Sequence, residues 1–358
     1  MVTGLSQGEL ERVLSRYSLG RLQEAQRPKH GFVNDNWIVD TTQGRFFLKH
    51  RHPALSEPAF VRAQHALTIW LRSGGFPVPE LKRTTEGTTL CILDGECYEI
   101  QEYVEGTHYD DARGEQLEEV ARTLARYHHT VRQFAPAILC RPRRLYSPQQ
   151  ISENLSDLAR MWQVRADDKL SPLVARIEAR AKRLAARFAR HSALPGLVIH
   201  GDYYADNLLF AGDRIVGVVD FDKARWQARV AELAEALIFF ASPQRSALEH
   251  VVYRSYPDWD LLTRFLHAYC RTLPLRDAEA RAVPDYAQCI WLQMSLWRLL
   301  DESGRPEHAD TALSEVLALG CWAEDNRAAL VDLCRSASGR QQAALSAAGH
   351  HPPNEEQS

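Results

Sequence analysis

His200-Gly201-Asp202-Tyr203-Tyr204-Ala205-Asp206-Asn207 leads into Leu208-Leu209-Phe210, the turn Ala211-Gly212-Asp213-Arg214, and a run from Ile215 to Asp220-Phe221-Asp222. An apolar strand delivers a loop bearing the Asp202 carboxylate and, five residues later, the Asn207 carboxamide. A tight hairpin then returns the chain with a second carboxylate, Asp220. Asn207 and Asp220 together offer oxygen atoms to one hard cation, because magnesium takes oxygen ligands and keeps several waters. Asp202 is then free to orient a substrate hydroxyl and accept its proton.

Working outward, helical and β patterns separate. Ser6 and Glu9 form a capping-box pattern ahead of Leu10, Val13, Leu14 and Tyr17 at helical spacing. Trp37 to Val39 and Phe46 to Lys49 flank a Gly44 turn and predict a hairpin. A helix is expected from about 57 to 73, closed by Ser73-Gly74-Gly75, and two strands over 88–93 and 98–103 around Asp94-Gly95. Beyond Gly106 the pattern is helical except for the insert at 197–222. Leu117, Val120, Leu124 and Tyr127 share one stripe, and Leu173, Val174, Ile177, Leu184 and Phe188 another. The second of these helices also carries Arg176, Arg180, Lys182, Arg183, Arg187 and Arg190, to be read as an anion-binding patch or as a solvated face. The expected fold class is α+β with two lobes: a small antiparallel-sheet lobe over 1–104, a larger helical lobe over 105–337, and a mobile polar tail over 338–358.

The loop-and-hairpin constellation resembles the phosphoryl-transfer layout of the protein-kinase-like fold. In the form H-G-D-x-x-x-x-N with D-F-D, it is similar to the aminoglycoside phosphotransferase, choline kinase and homoserine kinase family. Val283-Pro284-Asp285-Tyr286 and the run Leu292 to Asp301 look like the last helices of the homoserine-kinase-like branch. The resemblance implies ATP and Mg²⁺ as cofactors, Asp202 as the base, and Asn207 and Asp220 as metal ligands. It also implies that Lys49 reaches the nucleotide phosphates. Gly31 and Asn34, within Gly31-Phe32-Val33-Asn34-Asp35-Asn36-Trp37, would lie in the loop covering them, and the backbone of Glu102-Tyr103-Val104 would receive adenine. The family's usual glutamate partner for the strand lysine is missing: Gln64 occupies its natural place, leaving Glu57 or an amide to hold Lys49. After the metal loop Glu232-Leu233-Ala234 stands where the family often has D-L-A.

Only about ten residues separate Asp220 from the next helix, too few for a peptide-binding segment, so a small acceptor is expected. Tyr203, Tyr204, Asp222, Trp291, Trp297, Asp301 and Glu302 are candidate walls of its pocket, suited to an amine-bearing alcohol, amino acid or aminoglycoside. The competing reading is a kinase-fold protein that binds nucleotide or ligand without catalysis.

Other classes are disfavoured. The 358 residues carry 43 Lys plus Arg and 46 Asp plus Glu, net −3, which gives no electrostatic reason to expect nucleic acid or an anionic membrane as partner. Seven cysteines form no C-x-x-C pair, so reduced thiols and a cytoplasmic location are expected. The N-terminus has no basic segment followed by an apolar one. There is no P-loop and no G-x-G-x-x-G, and Gly4-Leu5-Ser6-Gln7-Gly8 lacks the strand that a hydrolase nucleophile elbow requires.

Overall fold

The computed structural model describes residues 4–28, 33–139, 146–164, 167–242, 256–301 and 307–348, with side chains to 339. Two compact units emerge. The first comprises the chain up to Gln116, Thr130–Arg143 and Leu197–Trp226; the second comprises Leu117–His129, Arg144–Gly196 and everything from Gln227. This differs from the linear division expected at 104/105, because Leu197–Trp226 clusters with the N-terminal sheet. An antiparallel bridge between Thr107 and Phe210 ties that segment to the chain leaving the sheet.

The first unit is built on an antiparallel sheet in the order β1-β2-β3-β5-β4, with β1 Leu22–Gln26, β2 Asp35–Thr41, β3 Gly44–His50, β4 Cys91–Leu93 and β5 Glu96–Glu102. β1 was not anticipated, since Leu22-Gln23-Glu24-Ala25-Gln26 is mostly polar; it is an edge strand with a register shift near its start. The period of two sorts the side chains of β3. Phe46 and Leu48 pack with Val39, Ile100 and Tyr98 against helix α1 (Gln7–Leu14), whose Ser6/Glu9 capping box forms as expected. The opposite phase presents Lys49 and, just past the strand, Arg51. Helix α2 (Pro58–Ser73) starts within a residue of its expected position and ends at Gly74-Gly75, where Gly75 has φ +73°. The remaining strands form two small sheets: β6 (Gly196–Ile199, in this unit from Leu197) with β9 (Arg225–Ala228, in this unit to Trp226), and the hairpin of β7 (Leu208–Ala211) with β8 (Arg214–Val218).

The second unit is helical: α3 (Gly114–Thr130, mostly in this unit), α4 (Pro148–Met161), α5 (Leu170–Phe188), α6 (Arg229–Phe240), α7 (Trp259–Thr272), α8 (Asp277–Asp301), α9 (Ala309–Asp325) and α10 (Arg327–Ala348). The core of α8 from Ala282 to Gln293 is buried throughout, so no amphipathic stripe survives there. A buried polar network links four of the helices, α3, α6, α7 and α8. His128 bonds Tyr269 Oη at 2.7 Å and Glu232 at 2.9 Å, and Arg229 grips Glu279 with two bonds of 2.6 and 2.7 Å. Glu232, the departure from D-L-A, is thus a fully buried partner of a histidine. Burial holds His128 below the ordinary histidine range, with Glu232 pulling the other way.

The basic helix is neither a free patch nor merely solvated. On α5, Arg187 pairs with buried Asp285 at 2.7 Å, and Arg180 pairs with Glu324. Residues 338–348, expected in a mobile tail, continue α10. Buried Ser338 accepts from Leu275 N at 3.1 Å and donates to Cys334 O at 2.9 Å, and Gln-Gln-Ala-Ala-Leu-Ser-Ala-Ala is rich in strong helix formers. Residues 349–358 lie outside the described residues. Six cysteines are free thiols, Cys140 lying outside the described set. Among the described residues no helix is long and apolar enough to cross a membrane.

Candidate active site

The site grows from two pieces of the first unit. One is the loop between β6 and β7; the other is the turn after β8. Histidine 200, fully buried, latches them together: its Nδ1 accepts from Asp202 N at 3.2 Å while Nε2 lies 3.0 Å from Val219 O. Val219 N donates to Asn207 O at 3.0 Å. These bonds place Asp202, Asn207 and Asp220 beside one another. Asn207 Nδ2 donates to Asp202 O at 2.9 Å and lies 3.4 Å from Asp202 Oδ2. Its nitrogen being so used, the amide oxygen is the end left for a cation. Asp220 sits in left-handed backbone with φ +65°, a conformation that costs a non-glycine residue about 1–2 kcal/mol and recurs at functional sites.

The second piece of chemistry comes from the sheet. Lys49 Nζ bonds Asp220 at 3.0 Å and Asp222 at 3.1 Å. Arg51 bonds Glu99 at 2.7 Å and Asp222 at 2.9 Å, and Glu99 also meets His65 at 2.8 Å. Five charged side chains are therefore joined, two cations between three carboxylates. Burial opposes charge on Lys49, but Asp220 and Asp222 outweigh it and hold the ammonium above its usual range. Burial would raise Asp220 and Glu99 too, yet Lys49 and Arg51 respectively keep both carboxyls below the ordinary carboxylate value. Asp222 goes the other way, since burial and the neighbouring Asp220 charge prevail over its cations. The cleft bounded by Lys49, Arg51, Gln64, Glu99 and Asp220 has room for about 20 Å³, the space of one water.

Neither candidate for the missing glutamate holds Lys49. Gln64 accepts from Arg51 at 3.0 Å and donates to the Asp222 carbonyl at 2.7 Å, and Glu57 stands at the N-cap of α2. Asp220 and Asp222 position the lysine instead, with Glu99 adding its charge from the neighbouring strand, where it pairs in register with Lys49.

Other expected residues are placed as follows. Asn34 bonds Asp222 at 2.6 Å and His52 N at 2.9 Å, while Gly31 lies outside the described residues. At the end of β5, Glu102 meets Arg72 at 3.2 Å and its amide donates to Glu80 O, and Val104 packs beside Gly217. Three acceptor-pocket assignments need correction. Asp222 is buried in the ion cluster rather than facing a substrate; Tyr203 is 1% exposed and packs edge-on to His200; Trp291 is fully buried against Trp322. Tyr204 is half-buried beside Asp202, and burial followed by that charge pushes its hydroxyl up to about 12. Trp297, 53% exposed, and Asp301 belong to the second unit, and Glu302 lies outside the described residues. Arg51, Glu99 and His65 were missed altogether. The only signal was the period-two phase that puts Arg51 on the face of Lys49.

A sequence profile of the phosphotransferase enzyme family matches residues 24–265, spanning both pieces of this site. The chain belongs to that family. Homoserine kinase from Pseudomonas aeruginosa is 29% identical to this phosphotransferase over 300 residues, covering 83% of this chain and 87% of the relative. Homoserine kinase from Methylobacterium radiotolerans is 27% identical, covering 84% and 87%. Among solved structures, an amicoumacin kinase bound to AMP-PNP and Ca²⁺ superposes with a TM-score of 0.66 at 16% identity, covering 90% of this chain and 93% of that one. A microcompartment-associated aminopropanol kinase gives 0.61 at 16% identity, covering 91% and 99%. These likenesses establish the kinase-like fold expected from the H-G-D-x-x-x-x-N and D-F-D pattern.

Proposed function

We propose that this phosphotransferase moves the γ-phosphoryl group of ATP to the hydroxyl of a small amino alcohol or amino acid such as homoserine, with Mg²⁺ held by Asn207 and Asp220. The observation that carries the reading is the convergence of Asp202, Asn207 and Asp220 on one latched loop and turn, with Lys49 3.0 Å from Asp220. Oxygen donors suit a hard cation, and the Asp220 side chain is 38% exposed against 6% for Asp222, so of the two it is the reachable ligand. Bound Mg²⁺ would neutralise charge on the phosphates.

Asp202 orients the acceptor hydroxyl and takes its proton as the oxygen attacks the γ-phosphorus, while the bond from that phosphorus to the bridging oxygen breaks and ADP leaves with the electron pair. Lys49 exchanges its carboxylate partners for phosphate oxygens when nucleotide binds, and the Asp220 carboxylate it releases is then available to the cation. Asn207 holds the Asp202 loop in place through its bond to the Asp202 carbonyl. Most of the rate enhancement would come from positioning and charge stabilisation, since phosphoryl transfer leaves little covalent work to the protein. Homoserine is favoured as acceptor because the curated relatives that match over most of both chains carry that activity.

The test is ADP release from ATP and Mg²⁺ by purified protein offered homoserine, choline, ethanolamine, 1-amino-2-propanol or an aminoglycoside. The expected result is turnover with homoserine well above the others. Turnover with an aminoglycoside alone would move the acceptor class, and binding of ATP without transfer to any of them would favour a non-catalytic role.

A further inference from the structure

The D-F-D turn ends in a residue to which the mechanism above gives no part. Lys223 Nζ lies 2.7 Å from Asp202 Oδ1, while the other carboxylate oxygen faces Asn207 Nδ2 at 3.4 Å. The backbone is fitted to this contact. Gly201, immediately before Asp202, has φ +78°, and a Cβ there would stand 2.4 Å from the Lys223 carbonyl oxygen; that same oxygen accepts from Arg225 Nε at 2.7 Å. Any side chain at Gly201 would push Lys223 away, so main chain and side chain both seat Lys223 on the catalytic loop.

The pair is not a stability device. The Lys223 side chain is 48% exposed, and an ion pair in that setting contributes little to folding. Its position bears on chemistry instead. A carboxylate poised beside a triphosphate faces like charge from every phosphate oxygen that approaches, and one free to rotate spends little time aimed at the hydroxyl. A cation on Oδ1 and an amide on Oδ2 address both problems, by screening the carboxylate and by fixing its plane.

We propose that Lys223 is a positioning residue of the phosphoryl-transfer site, holding the Asp202 carboxylate in the orientation that receives the acceptor proton and screening it from the incoming phosphates. The inference rests on the reading of Asp202 as the base.

The experiment is steady-state kinetics of Lys223→Met, Lys223→Arg, Asp202→Asn and the Lys223→Met/Asp202→Asn double variant, using the acceptor that supports turnover. For Lys223→Met, kcat is expected to fall about 10- to 100-fold, KM for ATP to rise about two- to fivefold as the screening of the carboxylate is lost, and the melting temperature to stay within about two degrees. Lys223→Arg is expected to recover most of the loss. The double variant is expected to be no slower than Asp202→Asn alone, because Lys223 acts through that carboxylate. An unchanged kcat in Lys223→Met, or losses that multiply in the double variant, would overturn the inference while leaving the base assignment standing. Full turnover by Asp202→Asn, or no turnover on any acceptor, would overturn the site reading and this inference with it.

Discussion

Asp202→Asn is expected to lower kcat by about 10²- to 10⁴-fold, the range a positioned general base contributes. Nucleotide affinity should stay within about twofold, as the losses belong to the reacting geometry and not to ground-state binding. The amide keeps the shape of the carboxylate and its contact with Asn207, so the loop latched by His200 through Asp202 N and Val219 O is preserved. What it loses is the capacity to take a proton, together with the anionic partner of Lys223. Stopped turnover with retained ATP binding by calorimetry would support the assignment. Retained turnover would mean that the acceptor proton leaves by another route, and that Asp202 is there for the loop alone.

The second large effect is on stability. Arg51 is 2% exposed and its guanidinium spans Glu99 and Asp222, with Gln64 accepting a further bond. Removing one partner from a buried ionic group leaves the others charged and unpaired, at a cost of about 3–5 kcal/mol. Arg51→Met should therefore lower the urea midpoint by that equivalent, and Glu99→Gln combined with it should recover part of the loss, since one of the stranded carboxylates is then gone. A midpoint unchanged in Arg51→Met would show that the five-membered cluster is not coupled as its distances imply. The same cluster explains how the site tolerates Gln64 in place of a glutamate. The charge that would face the strand cations from α2 comes instead from Glu99 on β5 and from the Asp220-Phe221-Asp222 turn.

How far the sequence reaches depends on how local the signal is. The order strand, Asp202 loop, Asn207, hairpin and Asp220 is carried by spacing within about twenty residues. That spacing also makes sense of Lys49 on a strand and points to the kinase-like fold. Glu99, Arg51 and His65 come together only through sheet register and the docking of α2. No local pattern in Cys97-Tyr98-Glu99-Ile100 marks its glutamate as half of a buried ion pair. Tyr203, Trp291 and Asp222 show the converse. Each has the chemistry of a pocket wall, but burial decides its role, and burial is a property of the packed chain rather than of the residue. Residues 338–348 mislead for a third reason: a polar, weakly patterned segment still forms helix when it extends one already docked by Ser338.

The central claim, that Asn207 and Asp220 bind the divalent ion of a phosphoryl transfer initiated at Asp202, is tested most directly by titrating Mg²⁺ into wild type and Asp220→Asn at saturating ATP and acceptor. Wild type should show turnover that is absent without the ion and saturates with it. Asp220→Asn should lose about a hundredfold or more at every Mg²⁺ concentration, the scale of a charge-stabilising group in the transition state. Equal turnover and equal Mg²⁺ dependence in the two proteins would contradict the account.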